Sequence, residues 1–538
     1  MTFRASTRAT KKINRTAFLL AFGFALLTAA CSGNGSTPTP PPPTGNFSNA
    51  SLKGQYAFFM SGTNVQTGFF ARIGSFTADG NGNVTTGLED VDVTGTPELI
   101  PFSPSTYTIQ ADGRGTLNLN GTGPLTFSVA MLSATEGLMV ETDGIATASG
   151  RFFLQSPGSF ANGFTGNYVF DVSGLDFNNS TLGVPDSVVG QFVANNGTLG
   201  GVLDENDNAS PTGAHVFTSG SFQIDANNNT NFGRGTMTFV AGGTTYHFIY
   251  YVVTGSRLVL MEDSSSSGVL TAGMATSQSS VPTSNANFNG DFVFLTSGSG
   301  TTGALTRIGR FTANGGGALT SLFTDANDNG TTAQVPKGSL ASANYSIDIA
   351  FAGSGRGTLT FTDSSLGTYS FVFYLNSASA GVIQDVTLTK NGGNVGDGFL
   401  QLQTGAPFTL PGLAGDYGLN FAGISQNSST MVAAEEDYVG HITLSSAGSN
   451  NVSGALDFSE FSSNQGGFLN VVVSGNGLTI GGDGTTSSGT RNSLSLKLAG
   501  NPSSTLNFVP YLADSQHIFV AGIDGNRVIS GFIILQNP

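Results

Sequence analysis

The feature that most constrains this chain is one pattern repeated four times. Each copy opens with an apolar residue, then glycine, an aromatic and another apolar residue at alternate positions: Leu52, Gly54, Tyr56, Phe58; Phe164, Gly166, Tyr168, Phe170; Phe288, Gly290, Phe292, Phe294; and Leu413, Gly415, Tyr417, Leu419. The four glycines stand 112, 124 and 125 residues apart. A repeat of that length is a whole module rather than a solenoid turn or a propeller blade. About twenty residues on, a glycine and an aromatic precede a turn dipeptide: Gly74, Phe76 and Asp79-Gly80; Gly190, Phe192 and Asn195-Asn196; Gly309, Phe311 and Asn314-Gly315. The fourth copy is reduced to Gly440, Ile442 and Leu444. Asp-Gly and Asn-Gly accept the positive φ of tight hairpins.

A third motif, Gly-Arg-Gly-Thr, surrounds Arg114, Arg234 and Arg356, with only Gly489-Thr-Arg491 near the equivalent place in the fourth copy. Next comes a stretch of alternating bulky residues: Leu125, Phe127, Val129, Met131; Tyr246, Phe248, Tyr250, Val252; Tyr369, Phe371, Phe373, Leu375; Leu506, Phe508, Pro510, Leu512. A period of two places each set on one face of a strand. If those faces point inward, the rings fill the modules. With 76 glycines, 42 phenylalanines and only 10% charged residues, the chain is too aromatic for disorder and too glycine-rich for long helices. The predicted fold is all-β: four tandem antiparallel modules of seven to eight strands at 51–157, 163–278, 287–404 and 412–538. Strands joined by short turns close most simply into up-and-down barrels, with β-sandwiches as the alternative.

The N-terminus reads differently. Arg4, Arg8, Lys11, Lys12 and Arg15 precede the apolar stretch from Ala17 to Ala30, which is too short to span a bilayer and has the form of a signal peptide over residues 1–30. The only cysteine, Cys31, follows Leu27-Thr28-Ala29-Ala30. This resembles the lipobox of bacterial lipoproteins, although Thr28 stands where that family prefers an aliphatic residue. The resemblance implies cleavage before Cys31, diacylation there, and a location in the bacterial cell envelope, lipid-anchored at the outer membrane on its periplasmic or surface face. Residues 31–50 then form a stalk, with five prolines between Pro38 and Pro43 favouring extended chain. Tandem β-modules on such a stalk are also similar to uncharacterised repeat lipoproteins of environmental bacteria. The Gly-x-Tyr and Gly-x-Phe openings resemble the Gly-x-Trp that begins lipocalin-type barrels, which would imply cups for apolar ligands.

Charge and motif exclude more than they assign. The chain has 19 Lys and Arg against 34 Asp and Glu, and five of the basic residues lie in the signal segment, so the mature part carries about −20. A nucleic acid would be repelled. His215, His247, His441 and His517 fall at non-equivalent places, and neither a nucleophile elbow nor a zinc-protease helix motif is present. Gly298, Gly300 and Gly303 match a dinucleotide fingerprint, but a strand pattern follows them where a helix is required. Asp79, Asn81 and Asn83, with Asp90 downstream, resemble part of a calcium loop whose central glycine is replaced by Val84; a plain hairpin turn is the competing reading. Arg114, Arg234 and Arg356 are the recurring polar position. They serve either as an anion site in each module or as structural groups that cover a ring or pair with an acid such as Asp90, Asp204 or Asp325. No cofactor is implied. The expected function is a non-catalytic, lipid-anchored envelope protein whose modules make an extended spacer or adhesion surface toward a cell-surface or polysaccharide partner, the alternative being apolar-ligand binding inside the barrels.

Overall fold

The computed structural model describes residues 45–538 apart from 94–96, 161–162, 179, 228, 264, 266–267, 336–339, 365, 390–391, 427–432, 461–464, 475–476, 482–490 and 500–503. Module two is the simplest. Its strands Gly166–Asp176, Val184–Asn195, Thr198–Asp207, Ser210–Ile224, Arg234–Ala241, Thr244–Thr254, Arg257–Glu262 and Val269–Ser277 each pair antiparallel with the next. The last pairs with the first, from Tyr168 opposite Ser277 to Asp176 opposite Val269, and the barrel is closed. Module one closes in the same way, with a short extra strand, Glu98–Pro101, hung on Asn83–Asp92. Modules three and four are nine-stranded sheets curled around the same order. Their edges approach through bridges between Ala318 and Asn344 in module three and between Val473 and Leu498 in module four.

The repeated motifs position these strands. The glycine of Gly-x-Phe lies under the ring two residues past the opening aromatic: a Cβ on Gly190 would come within 2.6 Å of Phe170, and one on Gly309 within 2.6 Å of Phe294. Any larger residue would push the ring out of the barrel. In Gly-Arg-Gly the first glycine takes positive φ (85°, 74° and 74° at Gly113, Gly233 and Gly355), and the second leaves room for Tyr250 in module two and Phe373 in module three. The opening tyrosines of modules one, two and four tie the barrel end to a distant turn: the Tyr56 hydroxyl donates to Ala134 O at 2.8 Å, Tyr168 to Gly255 O at 2.6 Å and Tyr417 to Ser515 O at 3.0 Å.

Each barrel has its own core, and the alternating rings point into it. Tyr246, Phe248 and Tyr250 join Phe164, Tyr168, Phe192 and Phe239 in module two; Phe371 and Phe373 join Phe288, Phe292, Phe294 and Phe311 in module three, with Tyr369 packed alongside. These rings contact one another at centroid separations near 4.4 to 6.4 Å, the range of favourable aromatic pairing.

The modules do not string out as an extended array. Four further apolar clusters lie between barrels: Ile73, Leu88 and Phe153 of module one against Ile249, Tyr251 and Val259 of module two; Val189 and Val202 against Val372 and Tyr374; Ile308 and Phe323 against Val509 and Tyr511; and Val439 and Ile534 of module four against Ala130, Leu132 and Leu138 of module one. The fourth cluster joins last to first, so the four barrels form a closed ring. Outward faces of strands that would meet water in an extended array are buried by the next module.

Candidate functional site

The recurring arginine sits at these joints. Arg234 and Tyr251 are cross-strand partners on the outward face of module two, and both reach Asp90 of module one. The Arg234 Nε and Nη2 donate to the two Asp90 oxygens at 2.8 and 2.7 Å, and the Tyr251 hydroxyl donates at 2.6 Å. One module further on, Arg356 and Tyr374 hold Asp204 at 2.7, 2.7 and 2.6 Å. At the third joint Arg491 and Tyr511 hold Asp325 of module three. Each acid lies beside an apolar interface residue of the neighbouring strand: Ile73, Val189 and Ile308. The carboxylates are buried, with side chains 1%, 2% and 5% exposed, so an arginine, bidentate at the first two joints, and a phenol replace their water. Burial and the adjacent carboxylate push the hydroxyls of Tyr251, Tyr374 and Tyr511 well above the usual phenol range, which keeps them as donors.

A second contact recurs at all four joints. The last strand of each module is followed directly by a glutamine whose amide enters the next module: Gln155 Nε2 donates to Val252 O at 2.6 Å, Gln278 to Leu375 O at 2.7 Å, Gln403 to Leu512 O at 2.7 Å, and Gln536 back to Met131 O of module one at 2.7 Å. The following backbone N–H continues the clasp: Ser156 to Val253 O, Ser279 to Asn376 O, Thr404 to Ala513 O and Asn537 to Leu132 O. Sequence reasoning missed these glutamines. Their recurrence at the module ends was a signal, but nothing in one chain says which module a terminal amide will enter.

The joint between modules four and one departs from the other three in its charged part. Arg114 pairs with Asp112 of its own module at 2.8 Å, and its cross-strand neighbour is Ala130 where the others have tyrosine. The equivalent acid, Asp457, stands opposite Val439 in module four. Asn470 comes between them, its backbone N–H donating to Asp457 at 2.5 Å and its side-chain oxygen accepting from Arg114 Nη1 at 2.9 Å. Burial raises the Asp457 carboxyl above the usual carboxylate range, partly offset by the Asn470 N–H and by Arg114.

The structure does not gather Asp79, Asn81, Asn83 and Asp90. Asp79 closes its own turn, accepting from the N–H groups of Asn81 and Asn83 at 2.7 and 3.0 Å and from Asn83 Nδ2 at 2.8 Å, and these bonds hold its carboxyl down at about 2. Asn314 closes the matching turn of module three without a charge, accepting from Gly316 and Ala318 at 2.7 and 3.0 Å. Asp90 lies opposite Ile73, six residues and roughly 20 Å back along the strand that ends at Asp79. Among the described residues no group of three or more His, Cys, Asp or Glu is placed to hold a metal ion. Cys31, with the signal segment and most of the stalk, lies outside the described residues. Gly298 lies in the strand Asn289–Ser299, and Gly300 and Gly303 are in the hairpin turn that leads to Ala304–Asn314. His441 faces Asp416 at 3.3 Å, His517 faces Asp514 at 3.0 Å and His247 faces Thr238 at 3.1 Å, in three separate settings.

Charged residues also occupy the barrel interiors. In module one Arg72 lies between Glu89 at 2.9 Å and Glu141 at 3.5 Å; in module four Arg527 contacts both oxygens of Glu436 at 3.0 Å. Burial still lifts the Glu141 and Glu436 carboxyls to about 7. Module two places Asp186 among Glu205, Glu262 and Asp207 with no arginine paired to it among the described residues, and burial with those neighbours raises its carboxyl well above the ordinary range.

No family model and no curated protein matches the chain. Among solved structures it is similar to a double mutant of transferrin binding protein B from Haemophilus parasuis, at 10% identity over 74% of this chain and 82% of that one, with a TM-score of 0.20. It is likewise similar to the isotype 1 transferrin binding protein B of serogroup B Neisseria meningitidis, at 9% identity over 75% and 85% of the two chains, with a TM-score of 0.17. Superpositions this loose carry no conclusion about fold or function.

Proposed function

We propose that this chain is an exported, non-catalytic lipoprotein anchored through Cys31 to the outer membrane, whose four barrels form a rigid ring that presents an interaction surface to a cell-surface or polysaccharide partner. The observation that carries this reading is where the charged and aromatic groups are engaged. The recurring arginines hold neighbouring modules together, and the rings of modules two and three fill their own barrels, which argues against an apolar cup inside each. The loops at the two ends of the barrels and the outer circumference of the ring are left for a partner. A ring held on a proline-rich stalk acts as a platform rather than a spacer.

Two measurements test the reading. Wild type should fractionate with membranes and carry the mass of a diacylated N-terminal cysteine, while Cys31→Ser should be soluble and lack that mass. Equal solubility and equal N-terminal mass would overturn the anchor. The soluble ring should bind saturably to whole cells or to purified envelope polysaccharide; absence of binding to both would overturn the platform.

A further inference from the structure

The four barrels meet around a cavity of about 300 Å³ that is partly open to solvent, and every module contributes to its wall. The wall is drawn from equivalent positions of the repeat. The strands Glu136–Glu141, Arg257–Glu262, Ala380–Asp385 and His517–Gly522 each place their first residue there. The residue after the recurring glycine of the last strand supplies Arg151, Met274, Phe399 and Phe532. At the joints the repeats keep one chemistry in nearly every copy. In this chamber the same positions carry an acid, an arginine, an alanine and a histidine, and then an arginine, a methionine and two phenylalanines. Symmetry made the space, and divergence made its lining one-sided.

The charged side chains of the chamber are unequally paired. Arg151 pairs with Glu136 and lies 4.9 Å from the Phe532 ring centroid. His517 is held by Asp514 at 3.0 Å. Asp171 of module two lies in the same wall and faces Asp397 of module three, and burial together with that neighbour holds its carboxyl well above the usual range. Arg257 remains. Its guanidinium stacks on Phe153 at 4.4 Å, and among the described residues no carboxylate oxygen comes within 4.0 Å of it. Guanidinium does not give up its proton in proteins, so a half-buried cation stands in the cavity wall, with the Glu136 carboxylate as its nearest counter-charge. On the other side are Phe399, Phe519, Phe532 and Met274.

We propose that the axial chamber binds a small organic anion, a carboxylate carried on an aromatic body, with Arg257 as the bidentate anchor and the three phenylalanines and Met274 packed around the ring system. This site is separate from the outer surface assigned above and is independent of the lipid anchor. A cavity of this size is larger than an inorganic anion alone would fill.

The test is calorimetric titration of the purified full chain with 2-naphthoate, its uncharged analogue 2-naphthamide, and inorganic phosphate. One 2-naphthoate should bind per chain, with 2-naphthamide and phosphate each at least tenfold weaker. Arg257→Gln should lower the naphthoate affinity at least tenfold and bring it close to that of the amide, whereas Arg257→Lys should keep part of the preference. Phe399→Ala should weaken both aromatic ligands together. Equal affinity of wild type for naphthoate and naphthamide, tighter binding of phosphate, no saturable naphthoate binding below about 10 mM, or an unchanged affinity in a folded Arg257→Gln would each overturn the proposal. If Arg257→Gln fails to fold, the naphthoate-to-naphthamide ratio of the wild-type chain decides.

Discussion

The joint between modules two and three and the seam between modules four and one use the same clasp but different charges. At the first, Asp204 is held by Arg356 and Tyr374, with three hydrogen bonds no longer than 2.7 Å. At the second, Asp457 and Arg114 do not meet; Asn470 links them, and Ala130 takes the place of the tyrosine. Both joints retain the glutamine amide inserted into the neighbouring backbone. The comparison separates two tasks. The apolar cluster and the glutamine recur at both, and at the seam neutral side-chain bonds such as Thr147 to Asp437 and Ser149 to Asn420 accompany them, while the buried ion pair with its phenol is found at a joint that the chain already tethers. The seam closes without the ion pair, and it is the one joint whose two sides are far apart in sequence.

Removing the buried acid is the largest expected effect and the sharpest way to break this comparison. Asp204→Ala leaves Arg356 and Tyr374 buried without their shared acceptor, which should cost about 3 to 5 kcal/mol at that joint. Asp348 keeps one contact to Arg356 at 2.7 Å, so the lower end of that range is expected. Asp457→Ala at the seam should cost roughly a third as much, because Asp112 already neutralises Arg114. Amide hydrogen exchange resolves the two joints separately, as a chain of four barrels does not melt as one two-state unit. Equal loss of protection at both places would mean that the charged part of the joint does not distinguish them.

The second expectation concerns pH, and its sign is opposite to that of ordinary surface carboxylates. Glu141 in barrel one and Glu436 in barrel four have carboxyls lifted from the normal value to about 7, chiefly by burial. A folded state that holds its proton more tightly than the unfolded chain is favoured at low pH. Each of these groups therefore contributes its full stability below about pH 4.5 and loses it as pH rises to about 7, a change on the order of 1 to 3 kcal/mol per group. Asp186 in barrel two, raised by burial and its acidic neighbours, acts in the same direction. Groups held low, such as Asp79 at about 2, lose their contribution only at far lower pH. Urea midpoints measured at pH 5 and pH 7.5 should be higher at pH 5, with Glu141→Gln and Glu436→Gln each shrinking the gap. A higher midpoint at pH 7.5 would show that these carboxyls are ionised in the folded state at both values.

The fold was legible because every local signal agreed. Tyr246, Phe248 and Tyr250 alternate as an inward face must, and Asp79-Gly80 and Asn314-Gly315 lie at real turns. The joint was half legible. Arg234, Arg356, Asp90, Asp204 and Asp325 all stand out as recurring charges in a chain with few of them, but intrinsic chemistry does not say that the arginine of one module takes the acid of the module before. One overlooked sign lay in the run from Phe248 to Val253, which is apolar at both alternating sets: Tyr250 and Val252 fill the barrel while Ile249, Tyr251 and Val253 face module one. A strand apolar on both faces is covered on both. The chamber was not legible at all, since its wall draws one or two residues from each of many strands and exists only once the ring has closed.

The smallest expected effect is at Asn470, and it tests whether the seam is a joint at all. Asn470 is exposed and takes φ of 56°, a conformation that asparagine tolerates better than most residues. Its side chain gives Arg114 one hydrogen bond, and its backbone gives Asp457 another. Asn470→Ala removes the first and strains the second, for about 1 kcal/mol in total. Asn470→Gly removes the side-chain bond but relieves the strain, and should cost less than alanine. A pair of fluorophores placed on exposed Leu469 and Ile145, one on each side of the seam, would report opening directly. With the clasp of Gln536 intact, both variants should keep the wild-type transfer efficiency, and adding Gln536→Ala to Asn470→Ala should lower it. If Asn470→Ala alone opens the ring, the amide clasp is the lesser contact at the seam and Asn470 does there what the buried acid does at the other three joints.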